Sequence, residues 1–204
     1  MRRYGSHADR SAQLEKMKIV TGKYQIELSE ESNYNKGSTD NKFQFENHYL
    51  DEEEYIFSTQ IGIKVYKKEN LISSAVICAS GGASALHKKS QIADNDRIVI
   101  CCSSQIFNLS IPGLILNWNI KADEATCFGI FQLNQGFIIH GEIGISRISN
   151  DGKIIWQRSG ADIFTTIDNK EDDFKLTDKY IFATDWGNRK YQFDFDGNEI
   201  KNKN

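Results

Sequence analysis

Proline is almost missing from this chain, with one residue, Pro112, in 204. Extended segments can therefore carry backbone ladders without the interruption a missing N–H causes. Long apolar runs are missing too. None approaches the roughly 18 to 20 residues that cross a bilayer as a helix, so no membrane partner is expected. Excess charge of one sign is small: 25 Lys and Arg stand against 28 Asp and Glu, for a formal net charge of −3. The basic residues are scattered, and the broad positive field that nucleic acid demands is lacking. The four cysteines, Cys78, Cys101, Cys102 and Cys127, show no Cys-x-x-Cys spacing. That excludes the common zinc and redox motifs, and no metal or cofactor is expected. They read as buried free thiols, which favours a reducing, cytoplasmic setting. Adjacent Cys101 and Cys102 would face opposite sides of a strand.

The N-terminus is positively charged but leads into no apolar stretch, so it does not read as a signal peptide. Residues 1–16 are expected to be a disordered leader or tail, and 17–204 a single domain. Only residues 7 to 18 hint at a helical period.

What the chain does contain is 39% hydrophobic and 11% aromatic residues, enough for a proper core. It also contains a phrase, GEIGISRISNDGKIIW at Gly141 to Trp156, that reads as two strands, a turn and a tryptophan. The phrase belongs to a repeat. Apolar triplets begin at Tyr55, Ile98, Phe137 and Tyr180, at intervals of 43, 39 and 43 residues. A second strand follows, with Ile63, Ile106 and Ile145 at matching places. Then come turns at Asn70, Pro112-Gly113, Asp151-Gly152 and Asp196-Gly197, where glycine supplies the positive φ of a tight turn. Third strands bring Trp118 and Trp156 to nearly equivalent places, where they read as packing residues. The segments TCFGIFQL and ADIFTTID fill a fourth strand. Four short antiparallel strands in about 40 residues is the period of a propeller blade. The expected fold is all-β, with β-propeller-like repeats starting near 52, 95, 134 and 177. About four blades would form either a partial arc or a small closed ring.

The stretch GFIIHGEIGISRISNDGKIIWQ resembles a repeat of the PQQ-like, quinoprotein-type β-propeller superfamily, over about residues 52 to 204. The resemblance implies scaffold, not activity: no cofactor-pocket signature accompanies it. The strand-like pieces MKIVTGKYQIELS and KFQFENHYL are expected to cap the arc or complete the last blade.

Candidate site residues sit in the repeat where its copies differ. His140 takes an expected innermost-strand position, held by Ser58, Cys101 and Ala183 in the other copies. With Glu142 nearby it could serve acid–base work, although a hydrogen-bonded interior histidine is the plainer reading. Gln60, Glu142 and Asp185 align across copies and should line one rim, with Trp186 beside Asp185 as an aromatic contact. Asp194 to Glu199 begins like a calcium loop, then loses register and serves the hairpin. Ser80, Ser84 and His87 lack a nucleophile elbow. The run 168–173, DNKEDD, reads as a solvated turn. Together these features point to a non-catalytic interaction module with a protein partner. The other readings are a bacterial immunity protein neutralising a cationic toxin, and a carbohydrate-binding or lyase-type propeller. The Asn-, Lys- and Ile-rich composition resembles that of AT-rich bacterial genomes.

Overall fold

A computed structural model describes residues 16–50, 56–166 and 173–200, and the strands fall into four sheets. In sheet I, β1 (Lys16–Thr21) and β2 (Tyr24–Glu30) form a hairpin. Beyond them lie β4 (Thr59–Lys67) and β5 (Asn70–Ala79), with β3 (Asn47–Leu50) added parallel to β5. Sheet II is the meander β6 (Gln91–Ala93), β7 (Arg97–Cys102), β8 (Gln105–Ser110) and β9 (Leu116–Lys121). Sheet III repeats it with β10 (Cys127–Gln132), β11 (Phe137–Gly141), β12 (Gly144–Ile148) and β13 (Ile154–Ser159). Sheet IV has three strands, β14 (Phe174–Leu176), β15 (Ile181–Thr184) and β16 (Lys190–Phe193).

Alternation along the strands builds the seams between sheets, because successive side chains face opposite sides. Ile98, Ile100 and Cys102 of β7 pack back onto Ile26, Leu28, Ile61 and Ile63 of sheet I. Val99 and Cys101, the residues between, pack forward onto Phe137 and Ile139 of β11. Ile138 then packs forward onto Ile181, Ala183 and Phe193 of sheet IV. Each fully buried Ile or Leu here contributes roughly 1.5–3 kcal/mol of transfer free energy. Among the described residues no apolar cluster joins sheet IV back to sheet I. The chain is a partial propeller.

The sheet that begins the arc departs from the expected repeat. Tyr55 lies outside the described residues, and Ile56 and Phe57 are not in a strand, with Ile56 82% exposed. The place of the apolar triplet is taken by β2, whose Ile26 and Leu28 pair with Val65 and Ile63 of β4. An insertion in sequence, residues 31–58, separates these paired strands, where sheets II and III have short hairpins. Its Tyr34 and Phe45 cover the outer face of sheet I over Val76 and Cys78. Gly62 makes room for this cover, since a Cβ there would stand 2.5 Å from the Phe45 ring. The N-terminal strands therefore cap the start of the arc and do not complete its last sheet. A second departure concerns ADIFTTID. Residues 161–166 form no strand, and β14 opens sheet IV instead. Of the stretch with a helical hint, residues 16–18 begin β1, and the remainder lies outside the described residues.

Register exposes the repeat more sharply than the sequence does. The third and fourth strands slip by one residue after Val65, Asn108 and Arg147 in sheets I, II and III. These residues face Ser73, Trp118 and Trp156 respectively. Each of those three donates a side-chain hydrogen bond to a turn of the next sheet. Trp118 Nε1 reaches Asn150 O at 3.0 Å, Trp156 Nε1 reaches Phe195 O at 2.9 Å, and Ser73 Oγ reaches Pro112 O. Two residues past each accepting carbonyl stands a positive φ: Gly152 (79°), Gly197 (80°) and Leu114 (52°). The indole fills the space a side chain would need, for a Cβ on Gly152 would lie 2.6 Å from Trp118 and one on Gly197 2.7 Å from Trp156. At the first seam the roles are exchanged. Ser73 is small, and the fully buried Leu114 side chain occupies the core. The turn glycine's counterpart in sheet II is thus Leu114, one residue past Gly113.

Candidate functional site

The links between sheets run along one rim and are stitched to its hairpins by backbone bonds. Glu142 N–H donates to Thr126 O at 2.8 Å, Phe164 N–H to Glu142 O at 2.7 Å, and Trp186 N–H to Ile163 O at 2.8 Å. Cys127 N–H likewise donates to Ser103 O at 2.8 Å. This pattern makes Ser103, Glu142 and Trp186 structural equivalents. Asp185 is then the counterpart of Gly141 and not of Glu142, one residue from the alignment drawn on sequence.

That shift assigns the carboxylates different work. Asp185 is 0% exposed and accepts from the Arg189 N–H at 2.9 Å, Arg189 Nη1 at 3.1 Å and the Tyr191 hydroxyl at 2.9 Å. Burial pushes its carboxyl up, but these donors and the guanidinium charge outweigh burial and hold it below the usual range. At the preceding hairpin Asp123 does the same job from a loop. It accepts from the N–H groups of Ala125, Thr126, Ile143 and Gly144 at 2.7, 3.1, 3.1 and 2.9 Å. Gly141 leaves the space for it, since a Cβ there would meet Asp123 Oδ2 at 2.2 Å. Burial raises the Asp123 carboxyl above its ordinary value despite those four donors. Sequence reasoning passed over Asp123; the signal it offered was the glycine facing it, visible only in three dimensions.

His140 lies on β11, an interior strand, because β10 takes the edge of sheet III. Its ring stacks on Phe174 with centroids 4.4 Å apart and meets Phe128 edge-on at 5.4 Å. Nε2 bonds to Phe164 O at 2.8 Å, and burial pushes the imidazole down to about 4, so it is neutral at pH 7. Glu142 sits at the hairpin tip beside Gly82 and Thr126. Gln60, on β4, donates Nε2 to Tyr34 O at 2.9 Å under the cover of sheet I. The structure thus joins Glu142 and Trp186 through the 160–166 link, places His140 in the seam behind them, and leaves Gln60 on the first sheet.

Two large apolar side chains stand open to solvent on this rim, beside the exposed polar groups of Asn188 and Arg189. Trp186 is 44% exposed and Ile143 39% exposed. Their hairpins are rigid, tied by the two buried carboxylates. Other residues named on sequence serve local structure. Ser84 Oγ accepts from Ser103 N–H at 2.8 Å, and His87 Nδ1 accepts from Lys89 N–H at 3.1 Å. Asp194 Oδ1 accepts from Asp196 and Asn198 N–H groups at 2.9 and 2.8 Å, closing the turn. Residues 168–172 and His7 lie outside the described residues.

No family model matches the chain, and no curated protein matches it. Solved structures do. The chain superposes on the AfRom2 CNH domain with a TM-score of 0.51 at 10% identity, covering 98% of this chain and 60% of that one. A second likeness is to HIRA(644-1017), with a TM-score of 0.47 at 9% identity, covering 96% of this chain and 57% of that one. The first is a β-propeller-type fold, and at this identity the likeness speaks for fold alone. The chain spans about 60% of the length of that domain, in keeping with a partial propeller.

All four cysteines are free and buried. Burial pushes the Cys78 thiol up to about 12 and raises the other three well above the ordinary thiol value. These thiols are poor nucleophiles. Cys101 and Cys102 face different seams, as alternation requires. Among the described residues no three His, Cys, Asp or Glu groups could together hold a metal.

Proposed function

We propose that this chain is a non-catalytic protein-interaction module that seats its partner on the rim formed by Ile143, Glu142 and Trp186. The observation that carries this reading is Trp186, a large aromatic left 44% exposed on a hairpin fixed by a buried, fully bonded carboxylate. A rigid exposed tryptophan loses little side-chain entropy on binding and is among the residues that dominate interface energies. Glu142 adds a carboxylate and Arg189 an exposed guanidinium around the two apolar side chains, so the partner would meet polar groups of both signs at the edge of the contact. The tryptophan-on-glycine seams support the quinoprotein-like subtype within the propeller folds.

The test changes the surface and spares the latch. Trp186→Ala with Glu142→Lys should lower affinity for the physiological partner by at least about 100-fold, as loss of a hot spot does, with the melting temperature little changed. Retention of the partner by the doubly substituted protein would place the binding surface elsewhere. Asp185 is unsuited to this test because replacing it leaves the Arg189 N–H and Tyr191 hydroxyl without their acceptor.

A further inference from the structure

At the other end of β11, between the turns of sheets III and IV, lies a cleft of about 580 Å³. Its walls include Leu133, Leu176 and Phe195, with the polar groups of Asn134, Arg147 and Asp178 among its lining. Arg147 occupies the forward-facing place that Val65 and Asn108 hold in the earlier sheets, so the third seam carries a cation where the first carries an aliphatic residue. Its Nη1 donates to Phe195 O at 2.7 Å and lies 3.4 Å from Asp196 Oδ1. Its Nε is buried and has no partner. A buried donor without a partner is unfavourable, so the site gains from an acceptor that completes the guanidinium. Among the described residues Asp178 makes no hydrogen bond or ion pair, and it lines the same cleft.

We propose that this cleft binds a free α-amino acid with an apolar side chain. Its carboxylate would complete the Arg147 guanidinium, its ammonium would pair with Asp178, and its hydrocarbon would lie against Leu133, Leu176 and Phe195. A single arginine faced by Asp178 and Asp196 disfavours a doubly charged anion such as phosphate. A simple fatty acid would leave Asp178 facing its carboxylate unpaired. The cleft is at the opposite strand ends from the Trp186 rim, so the two proposals stand or fall separately.

The experiment is titration of the full 15N-labelled chain with L-leucine, followed through the amides of Asn134 and Thr177 and the Arg147 Nε–H. Saturable shifts confined to these groups are expected, with N-acetyl-leucine and leucinamide each binding at least about tenfold more weakly because each lacks one charge. Asp178→Asn, a change at an exposed position, should weaken leucine by about tenfold as well. Shifts that fail to saturate at millimolar leucine, or that are equal for leucine and either analogue, would overturn the proposal.

Discussion

At the scale of single residues, two polar side chains, His140 and Asp123, hold neighbouring strands and hairpins in place. His140 is neutral in the fold, at about 4, and titrates near 6.5 when unfolded. The unfolded chain therefore takes up the proton first as pH falls. Stability that is complete above about pH 6.5 drains away toward pH 4, by at most about 3–4 kcal/mol at roughly 1.4 kcal/mol per pKa unit. His140→Phe should flatten that stretch of the urea-midpoint profile; an unchanged slope would mean another group carries it. Asp123→Ala should cost about 2–3 kcal/mol, since it strips the acceptor from hairpin N–H groups, and denaturant unfolding would show it directly. The sequence marked His140 as unusual because its neighbours in the repeat differ. It could not mark Asp123, whose meaning depends on the empty space at Gly141 one strand away.

At the scale of elements, the unit is the exchange between a third strand and the next sheet's turn. Trp118 with Gly152, Trp156 with Gly197, and Ser73 with Leu114 are three versions of one contact. A large side chain on one partner demands a small one on the other. Gly152→Leu alone should destabilise by several kcal/mol, through a clash with the indole and a positive φ unsuited to a side chain. Trp118→Ser alone should cost about 2–3 kcal/mol through lost packing of a partly buried indole. The double substitution imitates the first seam and should cost less than the sum of the two. Additive costs in a double-mutant cycle would contradict the exchange. This element explains how much of the repeat could be read in advance. The triplets at Ile98 and Phe137, the Asp-Gly turns and both tryptophans stand in the sequence in their proper order. The first copy was misplaced because the 31–58 insertion separates β2 from β4, and its Tyr55 to Phe57 run imitates the missing strand. The fourth copy slipped by one residue because Tyr180, Ile181 and Phe182 are all apolar and cannot show which of them faces inward.

At the scale of the molecule, the forward-facing positions change along the arc. Ile26, Leu28, Ile63 and Val65 in sheet I correspond to Val99, Cys101, Ile106 and Asn108 in sheet II, and to Ile138, His140, Ile145 and Arg147 in sheet III. In sheet IV they are Phe182, Thr184, Lys190 and Gln192. A face that is aliphatic at the start is polar at sheet IV, where no sheet among the described residues covers it. The insertion covers one end of the arc, and side-chain chemistry finishes the other, with Phe182 left 37% exposed. Among the described residues the arc is open at sheet IV, beside the Trp186 rim. Thiol labelling of single-cysteine substitutions tests it most directly, because the four native thiols are buried and slow to react. Phe182→Cys should react at close to the rate of an unstructured peptide under native conditions. Ile138→Cys, at the equivalent place one sheet earlier, should be protected by at least about 100-fold. Equal protection at both positions would show that sheet IV is covered, and would contradict the open arc.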